Sequence, residues 1–96
     1  MDAAARERIS DLVRVVIERR YGTQRAFART TGVGRTTLHR IQTGVPLRGD
    51  TYRRLENALG LPADLLRYTA DADEQAVRRC ALDPDLERWL LTRFGH

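Results

Sequence analysis

Lysine is absent from this chain: all 17 of its basic residues are arginine. Cysteine appears once, as Cys80, which excludes an internal disulfide and any multi-cysteine zinc site. Three prolines and seven glycines exclude collagen-like and low-complexity character. No apolar run approaches the roughly 20 residues that cross a bilayer. Met1-Asp2-Ala3 lacks a signal peptide's basic flank and apolar stretch, so a cytoplasmic location is expected. His39 and His96 are too few and too far apart for a metal site, and the carboxylates form no convergent pair. With no nucleophile–base pair, metal cluster or phosphate loop, the expectation is a protein that is not an enzyme and needs no cofactor or metal. What is present is 96 residues, 42% hydrophobic, enough for one small domain.

The charge is unevenly placed. The net is +4, yet residues 1–18 carry −1 and residues 55–96 carry −3. Between them, nine arginines (19, 20, 25, 29, 35, 40, 48, 53 and 54) face Asp50 alone, a local net of +8. A basic block of that kind points to a polyanionic partner, nucleic acid before others. The plain alternative is a solvated arginine-rich surface.

Periodicity predicts helices throughout and no strand. Asp2 caps a first helix over about 3–20, whose apolar face is Ile9, Leu12, Val13, Val16 and Ile17. Thr23 caps a second over Gln24–Thr31, with Phe27 and Ala28 inward. A third runs from Arg35 to about Gln42 on Leu38 and Ile41. Glycines 22, 32 and 44 end the three. After a loop over 45–49, Asp50 or Thr51 caps a fourth helix that closes at Gly60. Leu61-Pro62 opens a fifth that runs to about Tyr68. Thr69 to Glu74 reads as a linker or a helix start. Asp83-Pro84 introduces a last helix with Leu86, Trp89, Leu90 and Phe94 at helical spacing.

The segment Thr23 to Ile41 carries the functional signal. Two short helices meet at Gly32-Val33-Gly34, a turn short enough to force a steep crossing, and Ala28 suits the point where they touch. Arg35, Thr36, Thr37, His39, Arg40 and Gln42 remain on the outer face of the second helix, all able to reach base edges or phosphates.

This segment is similar to the helix-turn-helix of the lambda repressor/Cro (XRE) family. The likeness rests on the Thr23-Gln24 opening, Ala28 five residues on, the Gly32-Val33 turn, and Leu38 and Ile41 in the next helix. It continues through Gly44-Val45-Pro46, the helix from Thr51 to Leu59, and Gly60-Leu61-Pro62, covering roughly residues 8–68. Gly34 departs from a common serine cap, and Pro62 from the usual cap of the fifth helix. The resemblance implies an all-α fold, a compact five-helix lambda-repressor-like DNA-binding bundle with one or two additional C-terminal helices. It divides the chain into a DNA-binding domain at 1–69 and a C-terminal helical extension at 70–96. It implies that Arg35, Thr36, Thr37, His39 and Arg40 read bases in the major groove of double-stranded DNA. By the same likeness Thr23, Gln24, Thr43 and Arg48 contact the backbone, Arg25 and Arg19 more weakly.

The function so implied is a sequence-specific transcriptional regulator of a bacterium or phage, a repressor in first place. The alternative is an antitoxin or other interaction component that autoregulates its own operon through the same motif and neutralises a partner protein with another surface. One recognition helix reads few base pairs, so a homodimer is expected, with helices in successive grooves about 34 Å apart. The fifth helix and the stripe of Leu86, Trp89, Leu90 and Phe94 are the candidate pairing surfaces. The opposing expectation for that stripe is that it folds back and completes the core. Cys80 reads as a semi-buried small residue.

Overall fold

Helix capping by local side chains sets the frame. In the computed structural model, which describes residues 2–43 and 47–94, the Asp2 carboxylate accepts the Ala5 N–H at 2.7 Å and starts α1, Ala3–Tyr21. The Thr23 hydroxyl does the same for Ala26 at 3.1 Å and starts α2, Gln24–Thr31. α3 is Arg35–Thr43 and α4 is Gly49–Leu59. α5 is Leu65–Ala70, α6 is Glu74–Arg79, and α7 is Pro84–Thr92. Asp73 and Asp83 cap α6 and α7 through the N–H groups of Ala76 and Leu86, at 3.1 and 3.0 Å. The described residues are all-helical, with no strand, and none of their helices is long and apolar enough to cross a membrane.

α1 is the axis on which the rest is built. It contacts α2, α3, α4 and α5, and its Ile9, Leu12, Val13, Val16 and Ile17 are all buried. Around them one apolar cluster gathers Phe27, Leu38, Ile41, Leu55, Leu59, Leu65, Leu66 and Val77, and extends to Leu86, Leu90 and Phe94. The extension at 70–96 therefore shares its core with the bundle at 1–69.

Polar side chains of α1 also finish other helices. The Arg8 guanidinium donates to the carbonyls of Thr69 at 3.0 Å and Ala70 at 2.6 Å, the last residues of α5. Arg20 donates to Leu59 and the Tyr21 hydroxyl to Ala58 at 2.9 Å, closing α4. Arg6 lies 3.5 Å from the carbonyl of Thr43 at the end of α3. Carbonyls left over at a helix C-terminus need donors and favour positive charge, and α1 supplies both.

Two boundaries differ from expectation. The fourth helix begins at Gly49, not after an Asp50 or Thr51 cap, and Arg48 holds the cap position without a side-chain bond. The fifth begins at Leu65, because Asp64 adopts a left-handed φ of 69° and breaks the run from Pro62. Its missing cap comes from α4. Glu56, only 4% exposed, accepts the N–H of Asp64 at 3.1 Å on one carboxylate oxygen and that of Leu66 at 2.9 Å on the other. Thr69 to Glu74 resolves as the end of α5, a turn and the start of α6.

The C-terminal stripe requires a correction. Leu86, Leu90 and Phe94 are 5%, 1% and 9% exposed and belong to the core, so these three are not a free pairing surface. A chain this short gains more from completing its own core than from reserving large apolar side chains. Trp89 is half-buried beneath the Arg93 guanidinium, 5.1 Å from its ring centre, and Arg93 in turn pairs with Asp11 of α1.

Candidate nucleic-acid interface

The turn between α2 and α3 is held from both sides. Gly32 takes a left-handed φ of 78° and donates its N–H to Ala28 at 2.9 Å, a conformation any Cβ would strain. The Thr31 hydroxyl donates to the Phe27 carbonyl at 2.8 Å and accepts the Val33 N–H at 3.2 Å. Val33, Leu38 and Ile41 are buried, and α3 packs on α1. These anchors fix which side of α3 faces out.

That outer side carries the residues singled out from sequence. Arg35, Thr36, His39 and Arg40 are exposed, and Thr37 is half-buried. Gln24 and Arg25 are exposed on the first turn of α2. Gln24, Arg25, Ala28, Arg35 and Leu38 line one cleft of about 170 Å³ between the two helices. The structure thus brings Arg35, expected to read a base, together with Gln24 and Arg25, expected to hold the backbone. Ala28 lines that cleft, where its small side chain leaves room between the helices. Thr23 and Thr43 are exposed, but their hydroxyls are engaged: Thr23 in its cap, Thr43 donating to His39 at 3.0 Å. Arg48 is set apart at the start of α4, its side chain 89% exposed, with Asp50 at 3.9 Å. Gly44, Val45 and Pro46 of the resemblance, and His96, lie outside the described residues.

The electrostatics separate this region from the rest of the chain. Outside it, four of the eight arginines have carboxylate partners: Arg14 and Arg93 on Asp11, Arg67 near Asp64, Arg78 on Glu74. Within 19–54, Arg20 is used internally as a cap and Arg48 has only its long contact to Asp50. Among the described residues, Arg19, Arg25, Arg29, Arg35, Arg40, Arg53 and Arg54 form no ion pair. Unneutralised charges of one sign add to a field that attracts polyanions. Arg29, Arg53 and Arg54 were visible in the charge count, yet no motif position marked them.

Cys80 is half-buried, with its thiol donating to the Ala76 carbonyl at 3.3 Å, and burial pushes the thiol pKa up. No group of three or more His, Cys, Asp or Glu among the described residues is arranged to hold a metal ion. Comparison with protein-family models, with curated proteins and with solved structures finds no match to this chain.

Proposed function

We propose that this chain is a sequence-specific double-stranded DNA-binding transcriptional regulator of lambda-repressor-like fold, acting as a repressor. The observation that carries the reading is the outward face of α3. It is polar, it is anchored by Leu38 and Ile41 beneath, and Arg35 and Arg40 on it and Arg25 beside it are in no ion pair among the described residues. A helix so presented fits the major groove, where Arg35 or Arg40 meets the O6 and N7 acceptors of guanine in bidentate fashion. The methyl groups of Thr36 and Thr37 suit contact with a thymine methyl. Gln24 and Arg25 on one flank and Arg48 on the other set the register through phosphates, releasing counterions as they do. Repression then needs no more than occupancy of the site, and a homodimer supplies the second half-site.

Selection of a binding site from random duplex DNA, followed by two substitutions, tests this. Arg35→Ala should cost about 1–3 kcal/mol on the selected site and relax the preference at one base pair. Arg48→Ala should weaken all sequences alike and flatten the salt dependence by about one unit of slope. Failure to enrich any site, or equal losses on specific and random DNA from both changes, overturns the reading.

A further inference from the structure

A second cleft, of about 380 Å³, opens between α4 and α5 over Ile9 of α1. That volume lies in the range of small-molecule sites. Ile9 and Leu66 close its bottom at 2% and 1% exposed, so a ligand meets the walls: Tyr52 and Ala70, both half-buried, and the exposed Ala63. Three charged groups of the lining are already committed. Glu56 accepts the two amides of the α5 cap, and Asp64 lies 3.8 Å from Arg67. Arg53 on α4 and Asp71 at the end of α5 are exposed, and neither is in an ion pair among the described residues. The Tyr52 hydroxyl has no hydrogen-bond partner among them either.

These three unengaged groups differ in kind, and together they describe a ligand. A guanidinium takes a carboxylate, a carboxylate takes an ammonium group, and a phenol hydroxyl both donates to and accepts from an amide. A molecule with all three groups and modest apolar bulk is a short peptide with both ends free. A single amino acid carries its two charges on one carbon. An extended dipeptide spreads them over about 7 Å, which suits charges contributed by two different helices. We propose that the α4–α5 cleft binds a free-ended peptide of two or three residues. Its carboxylate meets Arg53, its ammonium group meets Asp71, and an apolar side chain lies against Tyr52 and Ala70. The cleft is built on other helices than the outward face of α3, so the site goes beyond the regulator reading and does not depend on it.

Titration of the dipeptide leucyl-alanine into the full chain, followed by the backbone amide resonances, gives the test. The amides of Tyr52, Arg53, Ala63 and Ala70 should shift and saturate, and leucine alone should bind more weakly. Amidating the dipeptide's carboxylate or acetylating its amine should each weaken binding about five-fold, the worth of a solvent-exposed ion pair. Arg53→Gln should bind the free and amidated peptides alike, and Asp71→Asn the free and acetylated ones. Both positions are exposed, so helical circular dichroism should be unchanged in the two variants. Ala63→Trp, also at an exposed position, should block the cleft and abolish the shifts. Shifts that never saturate, or that map to other helices, overturn the proposal. So do capped peptides that bind as well as the free one, or variants that stay sensitive to the end each should no longer read. Shifts of the same amides with protein concentration alone, a second copy filling the cleft, overturn it as well. No DNA is present, so failure here leaves the DNA reading standing.

Discussion

Glu56 is a polar side chain whose removal should cost the fold heavily. It is a buried carboxylate in no ion pair among the described residues, held by two backbone N–H groups at the start of α5. Glu56→Ala deletes both acceptors at once. The Leu66 N–H is buried and has no other partner nearby, whereas the Asp64 N–H sits closer to the surface and can be hydrated in part. An unpaired buried donor costs about 1–3 kcal/mol, so one full loss and one partial loss give about 3 kcal/mol. Relative to a typical stability of about 5–15 kcal/mol, that is a severe change. For a domain of this length it lowers the melting temperature by about 15 °C. Glu56→Gln keeps one oxygen but turns an amide NH₂ toward a backbone donor, and should fall between wild type and the alanine variant. Thermal and urea unfolding followed by far-ultraviolet circular dichroism measures all three. Glu18→Ala, at an exposed site, is the control and should stay within about 0.5 kcal/mol of wild type. If Glu56→Ala also stays within that margin, the capping account of α5 is wrong.

Leu90→Ala should destabilise by about 2–5 kcal/mol without altering the mass in solution, because Leu90 is 1% exposed within the core; thermal melts with light scattering check both parts. The two glycines of the helix-turn-helix should respond oppositely. Gly32→Ala should cost about 1 kcal/mol through its positive φ, although a Cβ there meets nothing within 4 Å. Gly34→Ser should be neutral or stabilising by a few tenths of a kcal/mol: its backbone is unstrained, its carbonyl accepts the Leu38 N–H, and serine adds a cap. Urea titration of the two variants separates them.

Asp2, Thr23 and Asp83 were legible as caps because the bond each makes reaches only three residues ahead, within the span that sequence spacing describes. Glu56 was not. Its partners lie eight and ten residues on, past a turn whose left-handed Asp64 has no marker in the sequence. Arg20 misled in the other direction. It counted as surface charge, yet it closes α4, and nothing in a charge sum distinguishes a guanidinium bound to Leu59 from one in water. The stripe on α7 was ambiguous for a related reason, since an apolar face looks the same in sequence whether it meets its own core or another chain. Within the candidate interface, the outward set on α3 followed from the positions of Leu38 and Ile41. The shared cleft of Gln24, Arg25 and Arg35 depends on the crossing of α2 and α3, which spacing alone does not give.

The reach of α1 along the chain bears on how the protein is made. Arg20 must wait for residue 59 and Arg8 for residues 69 and 70, separations of 39 and up to 62 positions. During synthesis α1 leaves the ribosome first, at about 5–20 residues per second, so several seconds pass before α5 follows. Through that interval its apolar face from Ile9 to Ile17 has no complete partner. Later helices can cap and turn locally as they emerge, but α1 gains its α5 contacts only once residue 70 is out, and the core is complete only with Leu86, Leu90 and Phe94. The nascent chain is thus most open to misassociation just before α5 emerges, when α1 has stood longest without its partners.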